Sequence, residues 1–137
     1  LLIDGKWQDH WYDTSASSGA FMRPDSQFRH CVSLASEAGF TPDAGRYHLY
    51  VSLACPWAHR TLIVRALKGL DEVVSISVVH PLMLENGWEF QEPYVDPLGA
   101  RSYLYQVYQE TQRDYSGRVT VPVLWESVKK SIVNIES

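Results

Sequence analysis

The sequence predicts a single α/β domain built on a mixed β-sheet, and three observations carry that expectation. After residue 46 a β-rich run, an amphipathic helix and a β-branched run follow one another. Strand, helix and strand within roughly 35 residues imply a parallel crossover. Near the end, RVTVPVLWES (118–127) and SIVN (131–134) flank a tight turn at Val128–Lys130, so these two strands are expected to be antiparallel. The third observation is Pro122, inside the first of that pair. A proline normally argues against a central strand, but in the thioredoxin-like arrangement a cis-proline opens this strand and faces the active site. The predicted order is β-α-β-α-β-β, with a further helix about to begin at Glu136–Ser137.

The totals bound this reading. A chain of 137 residues is enough for one compact domain and short for two. Hydrophobic residues at 45% against 20% charged place it among globular rather than disordered chains. The net charge is −4 and the nearest thing to a basic run is Lys129–Lys130, which argues against nucleic acid or an anionic membrane surface as partner. Apolar runs fall well short of the ~20 residues of a membrane span. The opening LLIDGKWQDHWYD lacks the pattern of a signal peptide. Cys31 and Cys55 are expected to be reduced thiols in a cytoplasmic protein.

Residues 1–46 read as an irregular N-terminal extension, and residues 47–137 as the folded domain. Within the extension, LIDGKWQ predicts a short hairpin around Asp4–Gly5. SASSGAF (15–21) reads as loop, and TPDAGR (41–46) as a turn cluster. Trp7, Trp11, Tyr12, Phe21 and Phe28 are expected to anchor the extension over a larger surface by packing. YHLYVSL (47–53) reads as the first strand of the domain. In CPWAHRTLIVRALKG (55–69), Leu62, Ile63, Ala66 and Leu67 recur at helical spacing, and Pro56 and Gly69 suit the first helical and C′ positions. EVVSISVVH (72–80) reads as a buried strand. The proline- and glycine-bearing stretch 81–100 reads as a long loop, and RSYLYQVYQETQRDY (101–115) as a helix presenting Leu104, Val107, Tyr108 and Thr111.

Cys55 carries the chemical question. It is either a small buried hydrophobe or a thiolate, since the thiolate is the nucleophile and a free thiol titrates near pH ~8.5. A helix start offers unpaired N–H groups and the positive end of a dipole, and Pro56 gives up an N–H with no helical partner. His59 and Arg60, one turn on, add positive potential or face solvent. A Cys-x3-His zinc site lacks evident further ligands, and no metal is expected. Cys55-Pro56-Trp57-Ala58 has no second cysteine to form an internal disulfide, so a group captured by Cys55 must be released by an external thiol. Glutathione is the cytoplasmic candidate. Cys31, with no helix start behind it, reads as structural.

LYVSLACPWAHRTLIVRALKGL, SVVHPLMLENGWEF and YSGRVTVPVLW together resemble the glutathionyl-hydroquinone reductases, the Xi class of glutathione transferases. The likeness runs from DGKW to the final ES, and its blocks occur in the family's order. It implies a glutathione transferase N-terminal domain of thioredoxin-like fold and removal of glutathione from glutathionyl-hydroquinones, with Cys55 as nucleophile. It also implies a glutathione site in which Trp88 flanks the tripeptide and Arg118 meets a carboxylate. In that site Val119, Val121 and Pro122 carry the strand-like backbone contact, and Glu136 and Ser137 hold the γ-glutamyl end. Read without the resemblance, Trp88 is loop core, Arg118 a solvated charge and Pro122 a strand starter.

The family pattern continues into another helix and an all-helical C-terminal domain that carries most of the aromatic-substrate pocket and of the homodimer contact; both are absent from this sequence. Ile135 stands where the pattern has a polar residue. Unburied apolar faces on the final strands are expected to favour self-association. Two other readings share the single cysteine: an omega- or glutaredoxin-like monothiol thioltransferase, and a glutathione-binding module without turnover.

Overall fold

The structure, a computed structural model, describes residues 1–10 and 25–137. Trp11, Tyr12, Phe21 and the SASSGAF stretch therefore lie outside the described residues. The chain opens with the predicted hairpin, β1 (Leu2–Ile3) paired antiparallel with β2 (Lys6–Trp7). Its two turn residues both have positive φ, +48° at Asp4 and +71° at Gly5. That is the conformation an Asp-Gly pair adopts at low cost and a two-residue hairpin loop requires.

A four-stranded sheet forms the centre. It comprises β3 (Tyr47–Val51), β4 (Val74–Val78), β5 (Val123–Glu126) and β6 (Ser131–Asn134) in the order β4-β3-β5-β6. β3 and β4 are parallel, with Leu49 opposite Ile76, while β5 runs antiparallel to both β3 and β6. This is the mixed thioredoxin-like sheet that the pattern predicts. The crossover between β3 and β4 is α1 (Pro56–Leu67), which starts with Pro56 in its first turn and ends before Gly69, at φ +65°. α2 (Tyr105–Thr111) precedes β5 and buries Val107 and Tyr108.

Alternation along β3 divides the core. Tyr47, Leu49 and Val51 face the side on which α1 lies, where Thr61, Val64 and Arg65 border the same groove as Tyr47, Leu49, Val74 and Leu124. His48 and Tyr50 face the other side. There the His48 ring nitrogens meet the Ser75 and Ser77 hydroxyls at 2.6 and 2.8 Å. The Arg101 guanidinium donates to the Tyr50 hydroxyl and to Asp96, at 3.0 and 2.6 Å, and lies 5.5 Å from the Trp125 ring centroid. These bonds fasten the 81–104 segment beneath the sheet. Phe28 packs into the main core, and Phe40 joins Tyr47 and Val133 in a second cluster, so the extension is anchored as its aromatic content predicts.

Several expectations change. The 72–80 run is an edge strand rather than a buried one: β4 pairs only with β3, and Ser75 and Ile76 are exposed. β-Branched content reports fit to a pleat, whereas strand order is decided by distant partners. The strand at 118–127 begins only at Val123, after the proline, and the helix within 101–115 is only seven residues long. On α1, Ile63 and Leu67 are exposed and Ala58 is the buried residue, so the period finds the helix but not its inner face. Of the final strands, β6 encloses Ile132 and Val133, whereas Leu124 on β5 is half-buried and lines an apolar groove beside α1. Residues 135–137 adopt no regular structure, so the helix expected to begin at Glu136–Ser137 is not seen among the described residues.

Candidate functional site

Cys55 is the N-cap of α1. Its backbone is extended (φ −104°, ψ 116°) and its carbonyl accepts the His59 N–H at 3.0 Å. The preceding Ser52-Leu53-Ala54 turn is closed by the Cys55 N–H donating to the Ser52 carbonyl at 3.1 Å. No side chain caps this helix end, and no acidic residue occupies its first turn. The positive end of the helix therefore lies beside Cys55 with no carboxylate in the first turn to offset it. The half-buried Sγ lies 3.7 Å from the Val121 carbonyl oxygen, to which the thiol donates. Val121 and Pro122 are joined by a cis bond, as the position of the proline predicts. The ladder between β3 and β5 ends at Val123, so residues 119–121 lie outside it and border the cleft, with the Thr120 N–H and carbonyl both bonded to the Tyr108 hydroxyl.

Around the sulfur opens a cleft of about 720 Å³, within the range of small-molecule sites. Each of the predicted residues borders it: Trp88, Arg118, Val119, Val121, Pro122, Glu136 and Ser137 together with Cys55. Trp88 enters on a turn at Leu84–Gly87, closed by the Gly87 N–H donating to the Leu84 carbonyl at 2.9 Å, and its own carbonyl accepts the Leu104 N–H at 2.9 Å. Arg118 is partly exposed, and its carbonyl accepts the Tyr115 hydroxyl at 3.0 Å. Burial pushes that phenol up to about 12, so it remains a donor over the working pH range. Glu136 takes its N–H to the Asn134 side-chain oxygen at 2.7 Å, and its carboxylate accepts the Ser26 hydroxyl. Asn134 in turn donates to the His30 carbonyl at 2.8 Å, which ties this wall to the N-terminal extension.

Other residues that border the cleft were not found by sequence reasoning. Trp57 is exposed at its rim with the Arg60 guanidinium 5.8 Å from its ring, and Trp7, Asp9, His10, Met83 and Leu84 are among the further residues of the walls. Of the two basic residues one turn into α1, Arg60 reaches the cleft and His59 does not border it. Cys31 is a free, exposed thiol that borders the groove beside α1 instead. No group of side chains among the described residues is arranged to hold a metal ion, and no helix among them is long and apolar enough to cross a membrane.

A mixed sheet with one cysteine at a helix start, opposite a cis-proline and beside a peptide-sized cleft, is the arrangement of a thioredoxin-like domain. Residues 54–137 match the glutathione S-transferase N-terminal domain, and the chain belongs to that family. It is 52% identical to the glutathionyl-hydroquinone reductase PcpF of Sphingobium chlorophenolicum, over all of this chain and 44% of that protein. Against the glutathionyl-hydroquinone reductase YqjG of Escherichia coli the identity is 51%, over 99% of this chain and 44% of the relative. The Xi-class transferase from Natrialba magadii superposes with a TM-score of 0.83 at 44% identity, over 98% of this chain and 41% of that one. The glutathione-bound structure of YqjG superposes at 0.78 with 46% identity, over 99% and 42%. The chain thus spans less than half the length of these relatives.

Proposed function

We propose that this chain is the glutathione-binding part of a glutathionyl-hydroquinone reductase, with Cys55 as its nucleophile. The observation that carries the proposal is the convergence on one cleft of a helix-start thiol, the cis-Pro122 segment, Trp88, Arg118 and the Glu136–Ser137 end. The tripeptide would lie along 119–122 as an added strand, its cysteinyl backbone on Val121. Arg118 would pair with one carboxylate, and Glu136 and Ser137 would receive the γ-glutamyl end. The Glu136 contact requires the Ser26 hydroxyl to share or yield the carboxylate.

The chemistry runs in two exchanges. The Cys55 thiolate attacks the glutathione sulfur of the conjugate; the carbon–sulfur bond breaks, its electron pair stays on the ring carbon, and that carbon takes a proton to give the free hydroquinone. Cys55 is then joined to glutathione in a mixed disulfide. A second glutathione thiolate attacks the glutathione sulfur of that bond, restoring the Cys55 thiolate and releasing glutathione disulfide. The ring is reduced and two glutathione sulfurs are oxidised, so atoms and electrons balance. A homodimeric assembly of the full-length form, which rests on the sequence resemblance, and a cytoplasmic setting, which rests on the reading of Cys31 and Cys55 as reduced thiols, belong to the same proposal.

Intact mass after mixing with glutathione disulfide tests the first requirement. The expected result is one glutathionyl unit per chain, removed by excess glutathione and missing in Cys55→Ser. No adduct, or an adduct carried by Cys31, would overturn Cys55 as the exchange site.

A further inference from the structure

We propose that the N-terminal hairpin is a strut that holds the two walls of the cleft at a fixed separation, and that Trp7 is the positioning residue through which it acts on Trp88. The inference rests on the glutathione reading above and deepens it.

One end of the hairpin is fixed to the segment that carries Arg118. Leu2 and Gly117 exchange two backbone hydrogen bonds of 2.9 Å each, and the Gly5 N–H donates to the Tyr115 carbonyl at 3.0 Å. The Asp4 N–H donates to the Ser116 hydroxyl at 2.8 Å, and the Gln109 side-chain amide donates to the Gly5 carbonyl at 2.7 Å. The other end is fixed to the turn that carries Trp88. The Trp7 indole N–H donates to the Glu85 carbonyl at 2.8 Å, inside the Leu84–Gly87 turn. The approach is close enough that a Cβ on Gly87 would lie 2.7 Å from the Trp7 ring. On its side, Trp7 stacks on Tyr105 (5.2 Å, 13°) and Tyr105 on Tyr103 (5.1 Å, 10°). Tyr103 bridges to Glu89, the neighbour of Trp88.

Trp88 is thus held from both flanks, by the turn that Trp7 bonds and by the strand-like stretch that its ring stack supports. Trp7 itself also borders the cleft. The two-residue Asp4–Gly5 turn leaves the hairpin no slack, so the Arg118 wall and the Trp88 wall are joined by a short rigid element rather than by a loop. A ligand gripped from both sides gains affinity when that separation is already correct.

Calorimetric titration with reduced glutathione tests this in wild type, Trp7→Phe, Trp7→Ala, Trp88→Ala and the Trp7→Ala/Trp88→Ala double variant. Trp7→Ala is expected to raise Kd about tenfold, and Trp7→Phe, which keeps the stack and loses the indole donor, about threefold. Because Trp7 acts through Trp88, the double variant should match Trp88→Ala within about twofold. Alkylation of Cys55 by iodoacetamide, which needs no glutathione contacts, should keep its rate in Trp7→Phe. Should Trp7→Ala fail to fold, Trp7→Phe and Gly87→Ala carry the test, the latter pressing a methyl against the indole. Unchanged Kd in the Trp7 variants with a weakened Trp88→Ala would overturn the strut alone. Additive losses, or an alkylation rate that changes with Kd, would reduce Trp7 to general packing. Indifference at both tryptophans would overturn the glutathione reading as well.

Discussion

At the scale of single residues, the proposed glutathione site leans most on the Cys55 sulfur and the Arg118 guanidinium, which both border the cleft. Cys55 has its site made by position: an N-cap without a side-chain cap, a proline that removes an N–H, and the Val121 carbonyl at 3.7 Å. Arg118 is placed differently. Its backbone is clamped by the buried Tyr115 hydroxyl, while its side chain borders the cleft on the wall that the hairpin braces. A charge-assisted hydrogen bond to a ligand carboxylate contributes about 1.5–3 kcal/mol. Arg118→Ala should therefore weaken glutathione binding by about ten- to a hundredfold, read as Kd by titration. It should leave the glutathione disulfide adduct on Cys55 attainable at high reagent concentration, because the sulfur is untouched. Loss of all adduct in Arg118→Ala would mean that Arg118 holds the fold of the cleft rather than the ligand.

At the scale of elements, local chemistry was legible and distant partnership was not. The hairpin, the limits of α1 and the strand-opening Pro122 each follow from a residue whose backbone preference acts within a few positions: Asp4–Gly5, Pro56, Gly69 and Pro122 itself. Cys55 was legible for the same reason. The inner face of α1 was not, because Arg65, which looks like a surface residue, turns inward to donate to the Val74 carbonyl at 2.6 Å and to Asp71, while Ile63 and Leu67 remain outside. Trp7 and Leu84 were missed as cleft residues because they are nearly eighty positions apart, and no local pattern records their meeting. Two glycines separate these scales experimentally. Gly69 has φ +65° and open space around its missing Cβ, so Gly69→Ala carries only the left-handed strain, about 1 kcal/mol. Gly5 has φ +71° and a backbone carbonyl of Arg113 only 1.9 Å from where a Cβ would stand. Gly5→Ala should lose more, about 2–3 kcal/mol in urea unfolding, and should also weaken glutathione binding by displacing the hairpin. Equal stability losses at the two positions would mean that the hairpin separates from the 113–117 segment at little cost.

At the scale of the whole molecule, two buried titratable groups on opposite faces of the sheet are each shifted in the direction that costs stability in acid, in different windows. On the α1 face, burial alone would push the Glu126 carboxyl up, but Arg46 and the backbone N–H groups of Val128 and Lys129 outweigh it and hold it below the ordinary carboxylate range. Its contribution is present above about pH 4.5 and is lost only as the pH falls below that. On the other face, burial lowers His48 from 6.5 to about 4, with Asp96 opposing and Arg101 assisting. The neutral ring is satisfied as it stands, since a hydroxyl can donate to one nitrogen and accept from the other at Ser75 and Ser77. The unfolded chain protonates this imidazole near its ordinary value while the folded chain resists, so between pH 6.5 and about 4 the unfolded state binds more protons. Stability therefore falls on acidification across that window, by up to about 1.4 kcal/mol per pH unit and on the order of 2–3 kcal/mol in all. His48→Gln keeps a donor and an acceptor at this position and removes the titration. Urea unfolding of both proteins at half-unit steps from pH 7.5 to 4.5 should give curves that converge as the pH falls, with the wild type losing stability faster. Parallel curves would show that His48 is protonated as readily in the folded protein as in the unfolded one, and that the acid response belongs to the carboxylates alone.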